Sequence, residues 1–144
     1  IHERLVGSEM CIRDRYYNEA LSRNIKFTYD VRNVDIGKIE EIDITSILCD
    51  LLDNAMKVCD HENPFIEITI HKGQPAGTIV ISVACSSEKE QLMESREYVS
   101  ANIKKTVKKY NGDINIYFQD EDKTLHITVI LYEDMIENEN TSMR

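Results

Sequence analysis

Ile47-Leu48-Cys49-Asp50-Leu51-Leu52-Asp53-Asn54-Ala55-Met56-Lys57 is the stretch on which the reading of this chain turns. It lies inside a longer periodic run over residues 43–59. There Ile44, Ile47, Leu48, Leu51, Leu52, Ala55, Met56 and Cys59 recur on one broad face, at about 100° per residue. Asp43, Ser46, Asp50, Asp53, Asn54 and Lys57 fill the opposite side. Asp43 has the side chain of an N-cap, so the helix is expected to start there. Any surface helix of a globular protein divides this way, so the pattern alone predicts a helix and no chemistry.

Working outward, residues 8–23 are charged and compatible with a helix, with Met10, Ile12, Tyr16, Tyr17, Ala20 and Leu21 as sparse apolar positions. Tyr16, Tyr17 and Leu21 read equally well as a dimer stripe or as packing against the domain's own sheet. Ile25, Phe27, Tyr29 and Val31 alternate with polar residues, the period of a half-buried strand. Downstream, strands are expected over 65–71 and 78–84 around a turn containing Gly and Pro, then a polar loop over 85–92. A second helix is expected over 94–110, with Val99, Ile103, Val107 and Tyr110 on one face. Lys104, Lys105, Lys108 and Lys109 crowd its last turns, where cations suit the helix dipole, and Asn111-Gly112 supplies the stop. A hairpin over 113–118 and 124–132 follows. Five strands with helices on one side make an α+β fold, a two-layer sandwich with a mixed sheet. Tandem βαβ units and a Gly-rich first turn are missing, which argues against a dinucleotide fold.

The 144 residues suit one domain, and 42% hydrophobic with 30% charged residues describes an ordinary globular chain. Seventeen Lys and Arg against 26 Asp and Glu leave a net charge of −9, so a basic face for nucleic acid or anionic membrane is not expected. No apolar run approaches the ~20 residues of a membrane helix. The chain begins at Ile, which suggests a piece of something longer, with any membrane contact made through upstream segments. Cys11, Cys49, Cys59 and Cys85 show no metal or disulfide spacing, and reduced thiols in the cytoplasm are expected. His2, His61, His71 and His126 read as ordinary surface or half-buried residues.

The quoted stretch resembles the N box of the GHKL ATPases, the group of histidine kinases, gyrase and MutL, whose fold is the Bergerat sandwich. The form is that of peptide-sensing histidine kinases of the AgrC and ComD type. Lys108-Lys109-Tyr110-Asn111-Gly112-Asp113-Ile114 resembles the helix end and turn into the next strand of those domains, and Tyr17-Asn18-Glu19-Ala20 through Phe27 the end of the dimerisation helix and the first strand. The resemblance implies a layout of linker helix over 1–23, ATP-binding domain over 24–132 and a loose acidic tail over 133–144. It also implies ATP and Mg²⁺ as cofactors, a response regulator as partner, and a homodimer in the full-length protein. Asn54 takes the position of the residue that gives an oxygen to Mg²⁺, and Asp50 that of the family's first Asn, as a base or a partner to the metal. Asp50, Asn54 and Lys57 are spaced i, i+4, i+7 and so share one stripe, with Lys57 placed to meet phosphate.

The chain also departs from the family. Where a first glycine box should follow the third strand it has Ala84-Cys85-Ser86-Ser87-Glu88, and where a second should open the next helix it has Tyr98-Val99-Ser100-Ala101-Asn102-Ile103. Glycines there let backbone amides approach phosphates. Ser86, Ser87 or Asn102 would have to replace them. Two readings stand: the ATP-binding domain of a sensor kinase, presenting Mg-ATP for histidine autophosphorylation, or a degenerate domain of the same fold that dimerises or binds a regulator.

Overall fold

A computed structural model describes residues 7–31, 36–59, 62–73, 77–87 and 99–133, with side chains from Ile12 onward in the first helix. Among the described residues three helices and five strands follow one another as α1 (Gly7–Ser22), β1 (Lys26–Val31), α2 (Glu41–Val58), β2 (Phe65–Lys72), β3 (Thr78–Ser86), α3 (Ala101–Lys109), β4 (Asp113–Gln119) and β5 (Thr124–Tyr132). The sheet order is β1-β2-β3-β5-β4. Only β1 and β2 run parallel, because α2 carries the chain back between them. The other neighbours are antiparallel, so the sheet is mixed as expected.

Period-two patterning sorts the sheet's two faces. Ile66, Ile68 and Ile70 of β2, Ile81 and Val83 of β3, and Ile127 and Val129 of β5 point one way and are buried. Against them lie Ile44, Leu48, Leu51 and Leu52 of α2 with Ile103 and Val107 of α3, in one continuous core. Ile12, Tyr16 and Ala20 of α1 belong to that same core. The other sheet face carries no helix among the described residues. A cross-strand row of Thr28, Glu67, Ala84, His126 and Tyr117 lies there, with the Tyr117 and His126 rings stacked at 4.6 Å.

Three boundaries differ from the sequence expectation, each for a physical reason. α2 opens two residues before Asp43: Glu40 is its N-cap, without a side-chain bond, and the Asp43 and Ile44 amides donate to the Glu40 carbonyl. Asp43 does not cap the helix, because its carboxylate is taken by Lys109 and Tyr110 instead. Cys85 and Ser86, expected in a loop, extend β3 by pairing with Leu125 and Thr124, and both are buried. The helix expected from residue 94 is described only from Ala101, capped by Ser100; Val99 is buried but precedes it, and residues 88–98 lie outside the described residues. The tail beyond Glu133, His2 and His61 also lie outside them.

The turn after α3 shows why Asn-Gly stands there. Asn111 adopts the left-handed conformation, at φ 53°, and the Gly112 amide returns to the Val107 carbonyl at 2.8 Å. A Cβ on Gly112 would sit 1.9 Å from the Ile130 carbonyl oxygen, so no other residue fits without moving β5. Cys49, Cys59 and Cys85 are free thiols, and burial pushes Cys85 up to about 12, which leaves it unreactive. Among the described residues no helix is long and apolar enough to cross a membrane.

Candidate functional site

The site is built on α2, whose apolar face is fixed on the sheet and whose other side is therefore held still. Asp50 and Asn54 are half-buried on that side, and Lys57 is exposed one turn further on. The spacing expected from the sequence thus survives in the fold, but the three side chains meet different neighbours. Asp50 faces α3. Its Oδ2 accepts from the Ser100 hydroxyl at 3.0 Å and from the Asn102 amide at 2.9 Å. The same Asn102 nitrogen reaches Ser46 Oγ at 2.6 Å. Lys57 lies toward α1, lining a groove of about 420 Å³ with Glu19, Arg23, Asp53 and Met56. Asn54, between them in sequence, is also engaged in the structure.

The α1 side of the stripe is held by polar contacts that the sequence did not single out. Tyr16 is fully buried, and its hydroxyl donates to Asp53 Oδ1 at 2.7 Å and to the Cys49 carbonyl at 3.2 Å. Burial, with the hydrogen bond to Asp53 behind it, raises the Tyr16 phenol far above its usual value, so it remains a donor. Arg15 stands over the Tyr16 ring at 4.8 Å and 3.7 Å from Asp53. Arg23 donates to the Met56 carbonyl at 2.7 Å, near the C-terminal end of α2. The contacts that cross between the helices fall on Cys49, Asp53 and Met56, in the helix stretch that contains Asn54.

Of the residues expected to replace glycine-box groups, Asn102 reaches the stripe. Ser86 Oγ accepts from the Phe65 amide at 3.2 Å and lies 3.3 Å from Cys59 Sγ, so it joins β3 to the end of α2. Ser87 is fully buried, its amide donating to Lys123. Asn102 is exposed and reaches Asp50. Ser100 is the functional neighbour that the sequence reading missed, although a Ser directly before a helix is a capping signal that residues alone carry. Lys109, one of the four clustered lysines, is held at 2.8 Å from Asp43 and 3.2 Å from Glu40.

The architecture matches solved structures of histidine kinases. The catalytic domain of the histidine kinase ThkA superposes with a TM-score of 0.66 at 17% identity, covering 88% of this chain and 91% of that one. A mycobacterial sensor histidine kinase, MprB, gives 0.60 at 16% identity, over 85% of this chain and 94% of that one. The Acinetobacter baumannii histidine kinase AdeS gives 0.66 at 10% identity, over 88% of this chain and 64% of that one. Identities this low speak for the fold alone. No curated protein matches the chain. The family model described as the GHKL domain matches residues 39–130, a span that runs from just before α2 to β5 and holds the whole Asp50, Asn54 and Lys57 stripe. The chain belongs to the GHKL family.

Proposed function

We propose that this GHKL domain is the ATP-binding kinase domain of a bacterial two-component sensor histidine kinase of the peptide-sensing type. On this reading it presents Mg-ATP to a histidine on upstream dimerisation helices. The observation that carries it is the stripe of Asp50, Asn54 and Lys57 on a rigidly packed α2, in a chain of this family. The donor chemistry fits the cation. Mg²⁺ takes oxygen ligands and keeps several waters, so one amide oxygen suffices where nucleotide phosphates supply others. Among the described residues no group of three or more His, Cys, Asp or Glu could hold a metal ion.

In this assignment the Asn54 amide oxygen would hold the metal, Lys57 would meet the phosphates, and Asp50 would act as a base or as a partner to the metal. A bound cation supplies neutralisation of phosphate charge. The protein supplies position: α2 is packed on the sheet and its polar side is braced by α1 and α3, so Asp50 and Asn54 lose little freedom on binding, whereas Lys57 is exposed. The γ-phosphoryl group would pass from ATP to that histidine, leaving ADP, and from the phosphohistidine to a response-regulator aspartate, freeing the histidine. On this reading the domain lies in the cytoplasm, as part of a homodimeric, membrane-bound sensor protein.

Calorimetric titration of the domain with Mg-ATP and Mg-ADP tests the reading. Binding in the micromolar range, lost in EDTA, is expected. Asn54→Ala should abolish it while lowering the thermal midpoint by only about 2–4 °C, as for loss of one half-buried hydrogen-bonding side chain worth about 1 kcal/mol. Binding that persists in that variant would show the site to be elsewhere. No heat at millimolar nucleotide would favour the alternative, a degenerate domain that dimerises or binds a regulator. The burial of Ser86 and Ser87, where a glycine box would stand, supports that second reading.

A further inference from the structure

α3 is a nine-residue helix with no acidic residue in its first turn. A helix N-terminus carries partial positive charge and attracts an anion. Here the anion comes from another helix. Ser100, the N-cap, accepts from the Ile103 amide at 3.1 Å and donates to Asp50 Oδ2 at 3.0 Å. Asn102 adds a second bond to the same oxygen at 2.9 Å. Hydroxyl and amide donors at a helix start also suit phosphate oxygens. They are already given to a carboxylate that stands one turn from Asn54 on the same stripe.

We propose that Asp50 is a resident anion at the start of α3 that sets the affinity and the metal requirement of the nucleotide site. This rests on the reading of Asn54 and Lys57 as the nucleotide's contacts. A phosphate chain that reaches Asn54 comes within about a helical turn of the Asp50 charge and competes with it for Ser100 and Asn102. Without a cation the two like charges repel. With a divalent cation between them, the same carboxylate becomes favourable. Asp50 therefore admits nucleotide with its metal and turns bare nucleotide away.

The substitution that separates charge from shape is Asp50→Asn. It leaves one oxygen to accept from Ser100 or Asn102 and removes the negative charge. ATP affinity is measured for the wild-type chain, Asp50→Asn and Asn54→Ala, in Mg²⁺ and in EDTA, with urea unfolding as the check on folding. The expected result is wild-type binding only with Mg²⁺, and measurable binding of bare ATP by Asp50→Asn, tighter than wild type by about tenfold or more, as for loss of one nearby like charge. The ratio of affinities with and without metal shrinks accordingly. Asp50→Ala, which removes the bonds as well, should show the same loss of metal dependence with a lower unfolding midpoint.

Other outcomes decide as clearly. If wild type binds through Asn54 and both Asp50 variants still refuse bare ATP, Asp50 only braces α3 and the inference falls, while the nucleotide reading stands. Wild-type binding equal in Mg²⁺ and EDTA overturns the inference as well. If neither the wild-type chain nor any Asp50 variant binds ATP in either condition, both readings fall together.

Discussion

At Asp43 burial and hydrogen bonding pull in opposite directions, and hydrogen bonding wins. Burial raises the carboxyl, but the bonds from Lys109 Nζ, at 2.8 Å, and from the Tyr110 hydroxyl, at 2.5 Å, with the charge of Lys109 behind them, leave it below its ordinary value. The same contacts raise Lys109, through Asp43 first and Glu40 second. The folded chain thus gives up the Asp43 proton more readily than the unfolded chain, whose carboxylate titrates near pH ~3.9. Between the two values the unfolded state binds more protons, so stability rises with pH across that window. The contribution is complete above the unfolded value and is lost as pH falls through the lowered native one. Asp43→Asn should therefore cost on the order of 1–2 kcal/mol at pH 7, as for a hydrogen-bonded charge. Urea midpoints measured from pH 7 down to about 2 should converge for variant and wild type at the acid end. Midpoints that stay a constant distance apart at every pH would show that the carboxylate's charge plays no part.

Helix docking is the scale at which α1 and α2 act on each other. Tyr16 is the joint, because its ring fills the core while its hydroxyl reaches Asp53. Tyr16→Phe keeps the ring and removes the bond. Asp53 is 46% exposed and recovers water, so the loss should be about 1 kcal/mol, against about 3–5 for Tyr16→Ala, which empties the core position as well. Equilibrium urea unfolding of both variants checks the order; equal losses would mean that the hydroxyl, not the ring, holds α1. Adjacent residues on a helix point about 100° apart, which separates two tyrosines that the sequence analysis grouped. Tyr16 turns inward, while Tyr17 and Leu21 stay exposed, so the two tyrosines never shared a stripe. α2 itself was legible because its apolar period is local and long. Its start was not, because Asp43 has the chemistry of a cap and loses that role to partners on α3 and its C-cap, more than sixty residues away in sequence. For the same reason the i, i+4, i+7 stripe could be read from spacing, while the bonds from Ser100 and Asn102 to Asp50, some fifty residues on, could not.

In the whole molecule, strand identity was readable from alternation and both hairpins from their turns, but the joining of β3 to β5 at the centre of the sheet was not. That pairing is long-range and also explains why Cys85 and Ser86 are strand: β5 extends far enough to give them partners. The same logic bears on where the folding unit begins. A boundary at residue 24 treats α1 as a linker, whereas Ile12, Tyr16 and Ala20 lie in one core with α2 and the sheet. Fully burying an Ile or an aromatic side chain contributes about 1.5–3 kcal/mol, so loss of α1 removes roughly 4–6 kcal/mol of apolar burial. A domain of this size has only about 5–15 kcal/mol in total. Deleting residues 1–23 should therefore lower the thermal midpoint by roughly 8–24 °C or abolish the cooperative transition, by the scaling of about 2–4 °C per kcal/mol. A truncated chain that melts within a few degrees of the full one would make α1 an appendage, and the Tyr16 contact to Asp53 an ornament on a core complete without it. The larger loss would mean that whatever moves α1 also strains the helix carrying Asn54.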